Sequence, residues 1–252
     1  MAFQFLHLQQ FPILEQLKIE ESLLRADDRN WCIVNQGSPV SIVMGISGKK
    51  EELIDLSKTR QDNIPVIKRF SGGGTVIVDE NTLFVTFICN KKVHPFPAFP
   101  EPIMKWTEGI YKDVFVHDQF RLRENDFVIG EKKMGGNAQY IKKDRWLHHT
   151  SFLWDYTDER MKYLLHPKKA PDYRKGRTHS DFLCRLSDHF HHLPGIVEKI
   201  KTALGKKYDV SFSTLEEVIT LQTSDVRQST TLIDLEIDPA TESSSLKGQV
   251  SV

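Results

Sequence analysis

Three consecutive glycines, Gly72-Gly73-Gly74, lie between two runs rich in β-branched residues, Pro65–Phe70 and Thr75–Val78. Glycine has no Cβ, so it reaches positive φ at little cost and lets other backbone or a ligand come close. Successive N–H groups in such a turn can converge on an anion. A Walker loop needs GxxxxGK[ST] running into a helix, and a dinucleotide fold needs GxGxxG opening one. Here the chain leaves Gly74 as Thr75-Val76-Ile77-Val78, which reads as strand. The glycines therefore belong to a strand–loop–strand unit of a sheet, and both phosphate-binding α/β folds are excluded. Arg69, just ahead, brings a planar fork suited to phosphate or carboxylate. Taken alone, the segment also reads as a glycine-rich hairpin turn.

Composition narrows what the unit can serve. The 252 residues hold 34 Lys+Arg against 34 Asp+Glu, so the formal charge is zero. Nucleic-acid binding through bulk electrostatics needs a basic excess, and that partner is not expected. No window approaches the ~18 apolar residues of a membrane span. Cys32, Cys89 and Cys184 are far apart and lack CxxC spacing, which argues against a disulfide framework or zinc site and suits a reducing compartment. The first twenty residues acquire carboxylates early and read as neither secretory signal nor Arg-rich transit peptide, so a cytoplasmic location is expected.

Along the chain, Phe3–Gln9 reads as a strand and Pro12 as the first position of an amphipathic helix with Leu17, Leu23 and Leu24 on its apolar stripe. Strands are expected at Trp31–Asn35, Ser41–Ile46, Pro65–Phe70, Thr75–Val78, Thr82–Cys89, Phe127–Ile129, Trp146–Trp154 and Val210–Ser213. Helices are expected at Glu51–Ser57, Ile103–Val114, Asp158–Leu165, Ser180–His189, Gly195–Ala203 and Leu215–Leu221. Without a strict βαβ alternation, the class is α+β: a mixed, largely antiparallel β-sheet flanked by helices. Residues 213–252 contain no aromatic side chain, and the segment 223–252 reads as a Ser/Thr-rich tail, partly disordered, with an edge strand over Thr231–Ile237.

Two further motifs follow the first. Asn125-Asp126-Phe127-Val128-Ile129-Gly130 leads into Glu131-Lys132-Lys133-Met134-Gly135-Gly136-Asn137-Ala138-Gln139, a second small-residue loop preceded by lysines. A lysine beside glycine-lined backbone neutralises phosphate or carboxylate as a point charge, although a Lys-Lys pair is more often a solvated turn. Trp146–Trp154 carries His148 and His149, adjacent on a strand and so on opposite faces, which leaves one of them at most facing a common site.

Together KRFSGGGTVIVD, ND…GEKKMGGNAQ and LHHTSFLW resemble the lipoate-protein ligase A family, within the group of biotin and lipoate protein ligases and octanoyltransferases. The resemblance runs from the first helix to about Leu186 and rests on the order and spacing of three motifs. It implies a biotin/lipoate ligase-type catalytic domain over residues 1–222. It further implies an enzyme that activates lipoate or octanoate with ATP and Mg²⁺ as acyl-AMP and passes the acyl group to a lysine of a lipoyl carrier domain. That carrier would belong to a 2-oxoacid dehydrogenase E2 or a glycine cleavage H-type protein.

The same resemblance implies site roles. Lys133 matches the lysine that contacts the acyl carboxylate and then the mixed anhydride. Arg69, Ser71, Gly72, Gly73, Gly74, Thr75 and Val76 would line the acyl and adenylate pocket, with Val78 beside Val76 in the apolar tunnel. Asn125 and Asp126 match a nucleotide- and magnesium-side pair. Gly136, Asn137 and Ala138 match a second backbone cradle, and His149 a third-motif histidine. Val78 stands where these ligases often have His before the Asp. The stretch after the last matched helix is short for an accessory ligase domain, so a separate accessory subunit, or transfer from a preformed acyl donor, are the alternatives; a non-catalytic acyl-binding paralogue is a third. None of the cysteines reads as a nucleophile: Cys184 is expected inside a helix and inert.

Overall fold

The computed structural model describes residues 1–166, 170–221 and 226–235. In chain order its elements are β1 (Ala2–Gln9), α1 (Ile13–Ala26), β2 (Asn30–Gln36), β3 (Ser41–Met44), α2 (Lys50–Leu53), α3 (Leu56–Gln61), β4 (Val66–Lys68), β5 (Val76–Val78) and β6 (Thr82–Asn90). There follow α4 (Pro100–Val114), β7 (Phe120–Arg123), β8 (Asp126–Ile129), β9 (Lys132–Ile141), β10 (Arg145–Leu153), α5 (Asp158–Met161), α6 (His179–Phe182), α7 (Leu193–Gly205), β11 (Asp209–Phe212), α8 (Leu215–Thr220) and β12 (Thr231–Leu232).

Eight strands form one sheet in the order β11-β1-β2-β6-β10-β9-β8-β7, and four form a second in the order β12-β4-β3-β5. In the large sheet only β11–β1 and β1–β2 are parallel; every other pair is antiparallel. The α+β class with a mostly antiparallel sheet is therefore the fold observed.

The alternation of side chains along each strand divides the core in two. Phe3, Phe5, Val34, Val85, Phe87, Trp146 and Phe152 bury one face against α4 and α7, through Ile103, Ile110, Tyr111, Ile196 and Ile200. Leu6, Leu8, Trp31, Ile33, Ile88 and Leu147 bury the other beneath α1 and Phe70. The small sheet lies next to α1, with Val43, Ile67 and Val78 packed on Ile13 and Leu17. The glycine loop joins β4 to β5 at this edge, and so hangs over the second face of the large sheet.

Several elements differ from the sequence pattern. Pro12 is the cap of α1 and not its first helical residue. β7 falls where no strand is expected; Phe120 and Leu122 pair across to Ile129 and Phe127 in a hairpin whose turn places Glu124 at φ +51°. The segment Glu131–Gln139 is not a loop, because Lys132–Ile141 is a full strand paired on both sides. Ser180–His189 is not one helix: α6 ends at Phe182, Leu183 and Arg185 are extended, and a short 3-10 turn covers Leu186–Asp188. The helix expected to Leu165 stops at Met161, and α2 and α3 are two short turns broken at Ile54-Asp55.

The described part of the tail is ordered against the domain. Ser229 and Thr230 donate their N–H groups to the buried Glu21 of α1 at 2.9–3.0 Å, and β12 pairs antiparallel with β4. Glu236, Ile237 and everything after them lie outside the described residues, so the strand is seen over Thr231–Leu232 alone. No helix among the described residues is long and apolar enough to cross a membrane.

Candidate active site

The site forms where three central strands present small or polar side chains on the face beneath the glycine loop. Register puts Thr86 of β6 opposite His149 of β10, and His149 opposite Ala138 of β9. Two residues back along β9, Gly136 pairs with Asp126 of β8. A β-bulge at Met134 shifts that register, since Phe127 faces Gly135 while Val128 faces Lys133. The bulge brings the Lys133 side chain back over its own strand: a Cβ on Gly136 would lie 3.0 Å from Lys133 Nζ. Glycine at 136 is thus what leaves room for the ammonium, which is why the second glycine motif sits inside a strand. Gly135 faces the other way, where a Cβ would meet the Phe152 ring at 2.6 Å.

Lys133 Nζ lies 2.9 Å from Asp126 Oδ1, and the Tyr173 hydroxyl donates to Asp126 Oδ2 at 2.8 Å. Burial, reinforced by the Asp126 charge, drives the Tyr173 phenol above its ordinary range, so it remains a donor at neutral pH. Both oxygens of Asp126 are therefore engaged. Among the described residues no group of three or more His, Cys, Asp or Glu side chains could hold a metal ion. The carboxylate expected to face magnesium lies between Lys133 and Tyr173.

On the glycine side, Arg69 is 4% exposed. Its Nη2 donates to the carbonyls of Gly72 and Gly74, both at 2.8 Å; Nε reaches Ser71 Oγ at 3.1 Å; and Nη1 reaches the Val43 carbonyl at 3.3 Å. The fork expected to face a ligand is spent on shaping its own loop. Burial lowers its pKa to about 10, partly offset by Glu20, and it keeps its charge. The loop carbonyls turn toward Arg69, and among the described residues no acceptor meets the N–H groups of Gly72, Gly73 or Gly74. Thr75 Oγ1 is buried without a partner. Gly73 takes φ +106°, and a Cβ there would meet Arg69 Nη2 at 2.6 Å and Ala138 Cβ at 3.1 Å. That closeness shows the loop resting on β9, as the pairing of the two glycine motifs requires.

Ser71 and His149 connect the loop to α1. The Ser71 hydroxyl lies 3.2 Å from His149 Nε2, and His149 Nδ1 lies 3.2 Å from Glu20 Oε2. With Nδ1–H donating to the carboxylate, Nε2 accepts from Ser71. Glu20, fully buried, also accepts from Thr86 Oγ1 at 2.6 Å and Gln16 Nε2 at 2.8 Å. His148 faces the opposite side, near Thr107 and accepting from Gln139 Nε2 at 2.9 Å; burial lowers its pKa to about 3.

The remaining expected residues divide. Asn137 donates to the Asn125 carbonyl at 3.0 Å and accepts from Thr150 at 2.7 Å, so it fixes the hairpin to the sheet. The Asn125 side chain is exposed and only its backbone enters the site. Val76 is half-buried beside the loop, whereas Val78 is buried with Phe84. Cys184 is extended, its N–H bonded to the Lys133 carbonyl at 2.9 Å, with a thiol that burial pushes up to about 11. It lies outside the helix expected for it. Glu20 and Tyr173 touch expected site residues without having been singled out by sequence. The one available signal is the i,i+4 pair Gln16–Glu20 on α1.

This geometry fits what comparison with known proteins finds. A family model described as the lipoyl protein ligase A/B catalytic domain matches residues 12–208, more than half of the chain. The chain belongs to that family. A Plasmodium falciparum protein named inactive lipoate–protein ligase 2 is 29% identical over 266 residues, covering 78% of this chain and 67% of its own. The Bacillus subtilis lipoate-protein ligase LplJ is 28% identical over 139 residues, covering 54% of this chain and only 40% of that one. The matched region thus spans well under two thirds of the bacterial ligase. Among solved structures, an archaeal bi-partite lipoate protein ligase from Thermoplasma acidophilum, described with its E2 lipoyl domain, superposes with a TM-score of 0.72 at 19% identity, covering 88% of this chain and 90% of that one. A lipoate-protein ligase A bound with ATP gives 0.71 at 17% identity, covering 88% and 92%. The Plasmodium falciparum protein LipL1 in complex with lipoate gives 0.69 at 19%, covering 86% and 67%. At these identities the superpositions establish the fold.

Proposed function

We propose that the chain is a lipoate-protein ligase-like enzyme that holds lipoate or octanoate as its acyl-adenylate and transfers the acyl group to a lysine of a lipoyl carrier domain. One observation carries the reading: the Lys133 ammonium lies over Gly136 on the same sheet face as Ala138, beneath a loop whose glycine N–H groups have no acceptors among the described residues. A mixed anhydride has a carbonyl and a phosphate that both gain negative charge as an amine attacks. Fixed donors beside them stabilise that charge without reorganising. The carrier amine would form the C–N bond at the acyl carbon while the C–O bond to phosphate breaks and AMP departs with the electron pair, the amine losing a proton. No side chain of this protein acts as nucleophile, in keeping with three buried cysteines. ATP and lipoate as ligands are supported by the two structural relatives named with them, and an E2-type lipoyl domain as acceptor by the archaeal one.

A second reading stays within the family: transfer from a preformed acyl-adenylate without adenylation by this chain. It is favoured by a relative whose name marks it inactive. Purified protein given lipoate, ATP and a lipoyl domain, and in parallel presynthesised lipoyl-AMP with the same domain, separates the two. Lipoylation in both arms indicates a ligase, and lipoylation from lipoyl-AMP alone a transferase. No lipoylation in either arm refutes the enzyme reading. Lys133→Ala should lower transfer from lipoyl-AMP by at least ~100-fold with the thermal midpoint near wild type; near-normal transfer would remove the assigned role.

A further inference from the structure

Residues 228–235 lie beyond the region matched by the family model, which ends at residue 208, yet they bind two elements of that region together. Their first half fastens α1. Glu21 is fully buried, and the Ser229 N–H lies 2.9 Å and 3.0 Å from its two carboxylate oxygens. The Thr230 N–H and hydroxyl donate to Glu21 Oε2 at 3.0 Å and 3.1 Å, and Gln228 Nε2 donates to the Ser22 hydroxyl at 2.7 Å. Arg25 pairs with the same carboxylate at 2.7 Å. A buried carboxylate is costly unless its lone pairs are filled, so Glu21 fixes the segment as firmly as the segment fixes α1. Their second half fastens β4. Thr231 and Leu232 pair with Lys68 and Ile67, the Ile233 N–H donates to the Val66 carbonyl at 2.8 Å, and Ile233 and Leu235 pack on Ile42, Ile54 and Val66.

The two fastened elements carry two halves of the site. β4 ends at Lys68, and the next residue is Arg69, whose guanidinium folds the glycine loop. Glu21 follows Glu20 on α1. Glu20 lies 3.2 Å from His149, and His149 lies 3.2 Å from Ser71 of that same loop. The distance between α1 and β4 therefore sets whether Ser71 and His149 meet. Apolar packing of Ile13 and Leu17 on Val43 and Ile67 also joins the two elements, but such packing is non-directional and tolerates small slides. Hydrogen bonds to an ionised carboxylate are stronger and hold a fixed geometry. The Glu21 contacts, one residue from Glu20, are thus what locks the helix against the strand.

We propose that residues 228–235 are a positioning strap: by tying Glu21 to β4 they hold Glu20, His149 and Ser71 together beneath the glycine loop, with Glu21 as the positioning residue. The proposal rests on the acyl-adenylate reading for what the loop binds, but its first readout needs no ligand. In the full chain, Glu21→Gln removes the charge that gathers the donors, and Ser229→Pro removes a donor from the opposite side of the same contact. Each should shift the amide resonances of Gly72, Gly73 and Gly74 and the imidazole nitrogen resonances of His149. Each should also weaken lipoyl-AMP binding roughly 10-fold by calorimetry. Because both act on one contact, the double variant should lose little more than the worse single one. Ile200→Val, on the other face of the sheet, lowers the thermal midpoint without touching the strap, and should leave the loop resonances and binding unchanged. Loop and His149 resonances unmoved in Glu21→Gln and Ser229→Pro, additive losses in the double variant, or the same shifts in Ile200→Val would each overturn the assignment. Should either strap variant melt at the working temperature, Thr230→Val, which removes one hydroxyl contact and keeps every N–H, carries the test with smaller shifts of the same resonances. A wild type that neither binds nor transfers lipoyl-AMP would defeat the enzyme reading, and the resonance shifts would still uphold or overturn the strap.

Discussion

Two arginines of nearly equal burial flank the site and behave oppositely. Arg69, 4% exposed, hydrogen-bonds four loop and strand oxygens, with the fully buried Glu20 nearby. Arg174, 5% exposed, makes one side-chain hydrogen bond among the described residues, and its buried Nη2 has no partner among them. Burial alone therefore says little about an arginine's work; the count of acceptors does. A guanidinium whose donors all end on backbone is part of the scaffold, and its effect on ligands is indirect: by drawing the loop carbonyls inward it leaves the glycine N–H groups of Gly72–Gly74 open. A guanidinium without acceptors holds binding capacity in reserve. The first shapes the loop, and the second leaves a buried donor unpaired among the described residues.

The contrast is broken or upheld most sharply by stability. Arg69→Met removes a buried cation that satisfies three carbonyls and a hydroxyl and leaves the charge of Glu20 less compensated. It should cost about 3–5 kcal/mol in urea unfolding. Arg174→Met gives up one hydrogen bond, keeps an apolar stem on Phe182 and relieves an unpaired buried charge, so its cost should stay within about 1 kcal/mol. Equal costs for the two variants would erase the distinction.

Gly73→Val sharpens the same comparison at the loop. At φ +106° any β-branched side chain is strained, and its Cβ would press on Arg69 Nη2 and Ala138. We expect a loss of about 1–3 kcal/mol from the backbone alone and lipoyl-AMP binding too weak to measure by calorimetry. Normal binding by this variant would mean that the loop's contact with β9 has no bearing on the ligand.

How much of this was legible beforehand follows the same division between local and distant causes. The glycine loop, the helices over Pro100–Val114 and Leu193–Gly205 and the long strands β6 and β10 were readable because each is fixed by its own periodicity and turn residues. Gly135-Gly136-Asn137 read as a loop because those residues have poor strand propensity; pairing to β8 and β10 overrides it, a tertiary effect invisible locally. Asp181–Leu186 has helical spacing, yet Leu183 and Cys184 are drawn into extended contact with Lys133. Arg69 reads from the sequence as a ligand-facing fork, yet its partners are a hydroxyl two positions away and carbonyls three, five and 26 positions away, which no motif displays. Arg174 sits in a Tyr-Arg-Lys-Gly turn that reads as solvated. Glu20 looks like the polar face of a surface helix until β10 brings His149 to it.

The smallest effect expected is a titration. The folded protein keeps His179 neutral down to about 4, against an ordinary value near 6.5, because burial and then the positive charges of Arg174, His166 and Lys133 oppose its protonation. Between those two pH values the unfolded chain binds a proton that the folded chain refuses. Stability from this group is therefore complete above pH 6.5 and is lost as pH falls toward 4. His148 and His94, lowered to about 3 and about 4, slope the same way, so the His179 share must be read by its own imidazole resonance. Arg174→Met takes away one of the three opposing cations and should raise the His179 midpoint. Arg69→Met, on the far side of Lys133 and absent from the groups that act on His179, should leave it where it is. A shift in both variants, or in neither, would show that the two arginines are not electrically separate, and the division of labour between them would fail at its most local point.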